Sequence, residues 1–546
     1  MQNDGVDQDP RGGLSALDTQ KTETTQDTEH EKDEKTYPPK KIVLPAMAAI
    51  YLAFFLVALD RTIIGTAIPA ISNQFNSFGD VAWYESGFLL PLCALQLSFG
   101  LIYTYYSSKW VLIILVSIFE IGSIVCAAAP NSNALIVGRV IQGIGGAGIG
   151  SGAIILISML VPLQARPQWT GGVGAVFGLA SILGPLLGGY LTSVSWRWCF
   201  WINVPIGAVS LACLVFFTPN SPPAKKAAPT WRGKLDQLDP LGFVLIAPSV
   251  ICLLFAIEWG GSKYPWGSGR VIALFVVFAV LLLAFIASQI WRGDKATLPP
   301  RILKQRTIFA ASVATVGVGS VLVIYAFYLP IWFQVIQGKS PQKSGLSLLP
   351  LLLSNVIAVI AGGVGTSLLG YYTPFLIIGS AIAIVGSALL TTWTVGIGAG
   401  IWIGYQQIVL GAGMGMVLQG PNIAAQTVLP DSDVSIGLSF LQFITFFAGS
   451  TFVTVSQTLL EHGLVSGLWD ILPDLDTSMI AGAGATAIRD MVSTEQLLAV
   501  LKVYNDSMRS IWYLGLGLSC LMFIATWGFE WKSVKSKKEG ESEVKA

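Results

Sequence analysis

Long apolar runs separated by short polar segments occupy most of the chain between residues 43 and 530. The runs are about 20 residues long, the length that an α-helix needs to cross the roughly 30 Å hydrocarbon core of a bilayer. The pattern predicts fourteen membrane-spanning helices, at 43–67, 82–104, 110–129, 134–158, 170–194, 199–217, 241–259, 270–291, 308–333, 345–369, 374–395, 400–420, 436–460 and 511–530. The predicted fold class is therefore an all-α polytopic membrane protein.

The spans group as six, two and six, and this grouping divides the chain. The predicted parts are a disordered acidic tail (1–40), a six-helix half (41–217), a linker with two extra helices (218–306), a second six-helix half (307–530) with a polar outer loop (461–510), and a basic tail (531–546). The predicted inner loops hold more Lys and Arg than the outer loops, which favours cytoplasmic termini. The sequon at Asn505 then falls in the outer loop, so Asn505 is a candidate for N-glycosylation.

Composition agrees with the membrane assignment and narrows the chemistry. The chain has 546 residues, of which 53% are hydrophobic and 12% are charged, against about 25% charged in an average soluble domain. A net charge of +1 argues against nucleic-acid binding. The six cysteines lack metal-ligand spacing, and both histidines lie outside the apolar runs. We therefore expect a chain that is not an enzyme, with no catalytic site, metal or cofactor.

The fifth span contains the hexapeptide Gly-Pro-Leu-Leu-Gly-Gly at 184–189 in an uncharged stretch. Proline removes a backbone donor and bends a helix, and glycine lets a neighbouring helix approach closely. The residues expected to pack against another helix are Gly171, Ala180, Gly184, Pro185, Gly188 and Gly189. A kinked helix with only a structural role is the alternative interpretation.

Asp60 and Arg61 lie inside the first span, although each charge costs about 2.5–3.5 kcal/mol on membrane-insertion scales. Adjacent residues on a helix point about 100° apart, so these two are not an ideal mutual pair. Arg139 lies in the fourth span, and both Asp60 and Arg139 are expected in the outer half of the membrane. A close pair of Asp60 with Arg139 is therefore geometrically possible. We hypothesise that proton binding competes with this pairing. Purely structural roles for these charges are the alternative.

Arg139 belongs to a motif in the fourth span whose members share one helix face at spacings of three and four residues. These members are Arg139, Gln142, Gly143 and Gly146. The twelfth span repeats the glycine pattern, with Gln407 where the fourth span has Arg139. Two six-helix halves with internal repeats are the plan expected of a transporter whose site lies between the halves, near the midplane. Chance similarity between Gly-rich helices is the alternative.

Two further carboxyl groups fall in the first half, Glu120 near the middle of the third span and Glu85 near the outer end of the second. The proton-coupling candidates are thus Asp60, Arg61, Glu85, Glu120 and Arg139. Spans 9–13 carry no charge and offer amides and aromatic rings instead. Candidates for a substrate cavity are Tyr325, Asn355, Gln406, Gln407, Gln442 and Phe443, although such residues serve helix packing more often.

The three motifs together resemble those of the fungal fourteen-span drug:proton antiporters of the major facilitator superfamily, the group that includes mycotoxin and secondary-metabolite efflux pumps. The fifth-span pattern resembles the antiporter motif of that group, with Ala180 where glycine is expected. The first-span segment has Gly65 where asparagine is usual, and the fourth-span arginine is associated with proton transfer in the superfamily. A Trp-Arg-Trp segment at 196–198 followed by Asn203 is also widespread in this branch.

One motif of the superfamily is nearly absent. The loop between spans 2 and 3 usually carries an acid and arginines that form a charge latch. Here Thr104 replaces the acid, Tyr105 and Ser108 replace arginines, and only Gly100 and Lys109 survive. The latch is therefore expected to be missing or to be made by other residues.

The resemblance implies a monomeric transporter in the bilayer that exports a small hydrophobic compound by alternating access, driven by inward proton flow. Because the second half lacks buried cations, a neutral or weakly charged substrate is expected. The plasma membrane is the expected location, and a vacuolar or vesicle membrane is the alternative. Two other functions stay open: a proton-coupled importer of the same fold, such as a siderophore carrier, and a membrane receptor.

Overall fold

The computed structural model describes residues 37–77, 80–220, 222–260, 264–396, 401–469 and 494–535. Within these residues, fourteen helices are long and apolar enough to cross a membrane, which confirms the predicted fold class. The long helices are α1 (Lys40–Phe75), α2 (Val81–Tyr105), α3 (Ser108–Ala127), α4 (Ser132–Leu160), α5 (Arg166–Val194), α6 (Asn203–Phe217), α7 (Pro240–Trp259), α8 (Gly269–Arg292), α9 (Arg306–Val335), α10 (Leu349–Leu369), α11 (Thr373–Leu390), α12 (Ile401–Leu418), α13 (Asp431–Leu468) and α14 (Thr494–Thr526).

Short helical segments join or extend these elements. A single turn at Trp198–Trp201 leads into α6. The segment Gly420–Val428 follows α12 and belongs to the same candidate span, Ile403–Val428. The remaining short segments are Trp231–Gln237, Gly293–Lys295, Pro300–Leu303 and Pro341–Leu346. The first three of these lie in the linker that carries α7 and α8, so the linker is folded on either side of its two spans.

Several helices extend beyond the apolar runs that predicted them. α13 continues to Leu468, and α14 is described from Thr494, so much of the predicted outer loop at 461–510 is helical. The two extensions pack on each other, because a methyl group at Gly463 would lie 2.6 Å from Ser507 Oγ. Hydropathy alone ends a span where polar residues begin, whereas the helix persists while one of its faces is buried. Residues 470–493 of this loop lie outside the described residues.

Each six-helix half is a bundle. In the first half α4 packs on α2 and α3, and α1 packs on α5; in the second half α12 packs on α10 and α11, and α9 packs on α13 and α14. The main contacts between the halves run from α5 to α10 and from α2 to α13, and α4 also contacts α13. α7 and α8 pack on each other, and α7 also contacts α2.

The close approaches between the halves lie toward the end of the molecule at which α1 begins. A methyl group at Gly100, near the end of α2, would lie 3.0 Å from Ser439 Cβ near the start of α13. A methyl group at Gly171, near the start of α5, would lie 3.2 Å from the carbonyl oxygen of Val359. Glycine therefore lets the backbones close on each other at this end.

The outer faces of the bundle suit a hydrocarbon environment. Large exposed apolar side chains on α8 include Ile272, Val276, Val280, Leu283 and Ile290. A soluble protein rarely exposes an apolar surface of this kind, whereas in a bilayer it faces lipid tails. The burial pattern thus agrees with a multi-pass membrane protein.

Candidate functional site

Asp60 on α1 and Arg139 on α4 form an ion pair inside the first half. The two residues are 0% and 1% exposed. Arg139 Nη1 donates to Asp60 Oδ2, and Arg139 Nε donates to the carbonyl oxygen of Tyr84 on α2 at 2.8 Å. The guanidinium also lies over the ring of Phe88, with Cζ 4.6 Å from the ring centroid. The pair that the sequence made possible is therefore present, and an aromatic face and a carbonyl accommodate the rest of the cation.

Three uncharged side chains complete a network around Asp60. Gln142 Nε2 and Asn203 Nδ2 donate to Asp60 Oδ1 at 3.0 and 3.3 Å. Both amides also donate to the hydroxyl of Ser123, at 2.8 and 3.3 Å. Arg139 Nη1 donates to Gln142 Oε1 at 2.9 Å. Polar groups from α3, α4 and α6 thus surround one carboxylate on α1.

Glu120 lies beside this network without joining it through a hydrogen bond. The residue is 8% exposed, and neither carboxyl oxygen has a hydrogen-bond partner within the described part of the chain. It occupies the space over Gly207 on α6, where a Cβ atom would overlap the carboxyl group. Because Glu120 precedes Ser123, and Gly207 follows Asn203, by about one helical turn, Glu120 is a close neighbour of Asp60 in the same half.

Arg61 and Glu85 lie apart from the network. The Arg61 side chain is half-buried and points to the second half, with Cζ 5.1 Å from the ring centroid of Phe446 on α13. Glu85 is half-buried on α2, and no hydrogen bond or ion pair joins it to Arg61 in the described residues. Of the predicted coupling residues, Asp60, Glu120 and Arg139 therefore lie inside the first half, whereas Arg61 faces the second.

The fifth-span motif contacts two different partners. Toward the start of α5, Gly171 faces α10 of the second half. Farther along, the Ala180 carbonyl accepts a hydrogen bond from Thr62 Oγ1 at 3.0 Å, and a methyl group at Gly184 would lie 2.6 Å from Thr62 Cβ. Gly188 likewise faces α1, since its methyl group would lie 2.8 Å from the carbonyl oxygen of Ile63. This part of the helix is therefore pressed against α1 next to Asp60.

Two members of the motif do not pack as the sequence predicted. A methyl group at Gly189 would meet no heavy atom within 4 Å among the described residues. Pro185 is exposed within α5. The hexapeptide thus has one face that packs on α1 and another that faces away from it, because residues 184 and 188 lie one turn apart and 185 and 189 are rotated from them.

The fourth-span glycines let α4 pack very closely against α2 and α3. A methyl group at Gly143 would lie 3.2 Å from Phe88 Cα, and one at Gly146 would lie 3.2 Å from the Phe88 ring. Gly145 faces α3 instead, 2.8 Å from Phe119 Cα by the same measure. This close packing holds Phe88 beneath the Arg139 guanidinium.

Two of the predicted substrate-cavity residues serve packing inside the second half. Tyr325 is 0% exposed and stacks on Trp512, with ring centroids 5.3 Å apart. Asn355 is buried and donates to the carbonyl oxygen of Gly411 at 3.4 Å. Both side chains join α9 or α10 to another helix of the same half, so they do not line a cavity between the halves in this structure.

The four remaining candidates divide in the same way. Gln406 is buried and accepts a hydrogen bond from Trp393 Nε1, and Gln407 is buried with an Oε1 atom that has no partner among the described residues. Gln442 and Phe443 are half-buried on α13. Gln442 faces the first half, because a methyl group at Gly150 would lie 3.5 Å from its Nε2 atom. Gln442 is thus the candidate whose contacts place it between the halves.

The glycosylation candidate Asn505 lies in an enclosed position, which argues against its modification in the folded protein. Asn505 is 3% exposed within α14. Its Oδ1 atom accepts a hydrogen bond from Trp332 Nε1 at 2.9 Å, and its Nδ2 atom donates to the carbonyl oxygen of Trp393 at 3.0 Å. The amide that would carry a glycan is therefore enclosed, and it joins α14 to α9 and to the segment that follows α11.

A cluster of charges joins the linker to the start of α13, close to the end of α2. Asp433, at the start of α13, is 0% exposed and binds Lys225 Nζ at 3.2 Å and both terminal nitrogens of Arg301. The backbone N–H of Lys225 donates to the carbonyl oxygen of Thr104 at 3.0 Å. Arg301 also binds Asp294 at 2.6 Å, and the hydrogen bond and opposite charge of Asp433 raise the pKa of Arg301. We call Asp433, Lys225 and Arg301 the linker clamp.

Sequence reasoning missed three members of the two sites. Asn203 entered only as part of the segment that resembles the family, and Ser123 is one of many small polar residues in apolar helices. Asp433 stood outside the predicted spans. Uncharged amides and hydroxyls cost little free energy to bury when they are paired, so they occur within apolar runs and the hydropathy pattern does not single them out. Each of the three contacts polar groups from distant segments of the chain, so only the folded arrangement identifies it.

Comparisons with known proteins agree with this architecture. The sequence profile described as Major Facilitator Superfamily matches residues 50–453. The chain is 47% identical over 493 residues to the MFS-type efflux pump MFS1 of Arthroderma benhamiae, covering 90% of this chain and 92% of the relative. It is 42% identical over 497 residues to the efflux pump roqT of Penicillium rubens, covering 91% and 92%.

Among solved structures, the fold resembles the structure of the proton:xylose symporter XylE bound to 6-bromo-6-deoxy-D-glucose. The TM-score is 0.53 at 14% identity, over 85% of this chain and 98% of that one. At this identity the likeness concerns the fold: two six-helix halves, here with α7 and α8 between them.

Proposed function

Because the chain belongs to the major facilitator superfamily, we propose that it is a proton-coupled antiporter that exports a small hydrophobic compound by alternating access. Its relatives in Arthroderma benhamiae and Penicillium rubens are described as efflux pumps and cover nearly the whole chain, which supports the direction of transport. The plasma membrane is the proposed location, the monomer is the proposed unit, and the proton gradient is the proposed energy source.

The observation that carries the proposal is the buried pair of Asp60 and Arg139. When a proton binds a carboxyl oxygen of Asp60, the carboxyl group loses its charge, and the attraction to Arg139 falls to that of a neutral hydrogen bond. Arg139 stays charged and keeps the Tyr84 carbonyl, the Gln142 oxygen and the Phe88 ring as partners. When the proton leaves, the ion pair forms again. Proton binding and pairing therefore exclude each other at one carboxylate.

The fifth-span motif supplies a route from this pair to the other half. Thr62 is two residues from Asp60 and packs against Ala180 and Gly184 of α5. The start of α5 packs against α10 of the second half through Gly171. A shift of α1 on protonation would therefore displace α5, the helix that packs against the second half. Glu120, beside Asp60 and without a hydrogen-bond partner in the described residues, is a second candidate to accept a proton.

The experiment compares the dye content of fungal cells that carry or lack the gene, with rhodamine 6G and Nile red as probes. Cells with the protein should hold less dye, and a protonophore should remove the difference. An importer predicts the opposite sign, with more dye in cells that have the protein. A receptor predicts no difference for any probe, and either of these results would contradict the proposal.

A further inference from the structure

Arg61 is a charged residue that the proton-coupling network does not use. Its neighbour Asp60 points to Arg139, Gln142 and Asn203, all within the first half. Arg61 points about 100° away around the helix and faces α13. No hydrogen bond or ion pair to its guanidinium is present in the described residues.

The partner of Arg61 across the gap is an aromatic ring. The Phe446 ring centroid lies 5.1 Å from Arg61 Cζ, which is within the range of a cation–π contact. Such a contact satisfies one face of the guanidinium and leaves its N–H donors available, since a ring accepts no in-plane hydrogen bond. Five N–H donors in a planar fork match a carboxylate well.

Open space lies beside this cation. Gly65 follows Arg61 by one turn on the same side of α1, is exposed, and would place a methyl group with no described heavy atom within 4 Å. On α13, Gln442 precedes Phe446 by one turn and also faces the first half. The gap between α1 and α13 therefore combines a cation, an aromatic ring, an amide and unfilled volume.

We propose that Arg61 and Phe446 form a binding site for an aromatic compound that carries one acidic group, such as a carboxylate or phenolate. The acidic group binds the N–H donors of Arg61, and the aromatic body occupies the space beside Gly65 and packs on Phe446. This inference rests on the proposed export function and refines its substrate class. The cation comes from the first half, so the absence of charge in spans 9–13 does not exclude anionic substrates.

A matched pair of probes tests the site. 1-Pyrenebutyric acid and its methyl ester share the same aromatic body and differ in the negative charge. Binding of each to the purified full-length protein in lipid nanodiscs is measured by pyrene fluorescence, with protein-free nanodiscs subtracted. The unaltered protein should bind the acid at least tenfold more tightly than the ester. Arg61→Gln should remove this preference and leave binding of the ester within twofold.

A control variant keeps the result interpretable. Arg232→Gln, the same change at an exposed arginine of the linker, should keep the full preference for the acid. Equal affinities of the unaltered protein for both probes, an unchanged preference in Arg61→Gln, or a lost preference in Arg232→Gln would each overturn the proposal.

The measurement is an equilibrium binding assay and needs no proton gradient. A failure of acid recognition would therefore leave the proposed export function standing. Conversely, if dye export failed in cells, the preference for the acid in nanodiscs would still report on Arg61. The two ideas are thus contradicted by different results.

Discussion

At the residue scale, the proposed mechanism requires the buried pair of Asp60 and Arg139 to separate and form again. Removing one member of a buried ion pair costs about 3–5 kcal/mol in soluble proteins. A membrane potential of 100 mV supplies about 2.3 kcal/mol for each charge that crosses. The two magnitudes are of the same order, so in the proposed mechanism one proton driven across the membrane would offset a substantial part of the cost of separating the pair.

The neighbours of the pair would lower the cost of separating it in the proposed mechanism. Arg139 also contacts a carbonyl, an amide oxygen and an aromatic ring, so loss of the Asp60 charge would leave the cation with other partners. Gln142 and Asn203 donate to either Asp60 or Ser123, so their donors also have a second acceptor. A network with alternative partners can rearrange without exposing an unsatisfied polar group.

Charges in apolar spans were the residues that the sequence predicted best. Their insertion cost makes a partner necessary, and the 100° between Asp60 and Arg61 correctly implied two different surroundings. The amides of the second half were predicted less well, because Asn355 and Gln406 can satisfy each polar group by packing within one half as easily as by lining a cavity. Asn505 illustrates the same limit, since a sequon does not report whether its amide is enclosed.

At the element scale, α5 acts as a strip with two contact surfaces. One surface near its start meets α10, and a second surface around Gly184 meets α1 at Thr62. The sequence predicted close packing from the small residues but not that two helices in different halves share the motif. Periodicity identifies a face, whereas the identity of the partner depends on how the helices are arranged in space.

The hexapeptide itself offers a matched pair of substitutions. Gly184→Ala would place its methyl group 2.6 Å from Thr62 Cβ and 2.9 Å from the Thr62 carbonyl carbon, so α5 must move away from α1. Gly189→Ala adds the same methyl group to the same helix where no described atom lies within 4 Å. We expect the initial rate of dye export at equal expression to fall at least tenfold in Gly184→Ala and to stay within twofold in Gly189→Ala. Equal rates in the two variants would contradict the packing role.

At the scale of the whole molecule, the two halves approach at the end where α1 begins, and the linker clamp lies at that end. Lys225 and Arg301 come from the segments that flank the two extra spans, and both bind Asp433 at the start of α13. Lys225 also contacts the end of α2 through the Thr104 carbonyl. The clamp therefore joins α2, the linker and α13 where the superfamily usually places its charge latch. The order of the fourteen spans followed from hydropathy, but the end at which the halves close is a property of one conformation, which a hydropathy pattern does not specify.

Asp433→Asn tests whether the clamp holds this end closed. Removing the charge should weaken both ion pairs and expose the chain around Lys225, and trypsin cleavage after Lys225 should become about tenfold faster, equivalent to about 1.4 kcal/mol. Asp294→Asn is the control, because Asp294 is 78% exposed and binds Arg301 alone. Cleavage sites are assigned by mass spectrometry of the purified protein. Unchanged cleavage after Lys225 in Asp433→Asn, or equal acceleration in both variants, would show that the clamp does not keep this end closed.

The most direct test of the account measures proton movement in proteoliposomes that contain the purified protein and lumenal pyranine. Adding rhodamine 6G outside, without an imposed pH gradient, should drive protons out in exchange for the dye and raise the lumenal pH. Asp60→Asn keeps the size of the side chain but removes the titratable group, so it should abolish the pH change. Asp506→Asn, at an exposed ion pair on α14, should behave like the unaltered protein. A pH change at the normal rate in Asp60→Asn would contradict the assignment of Asp60 as the coupling carboxylate.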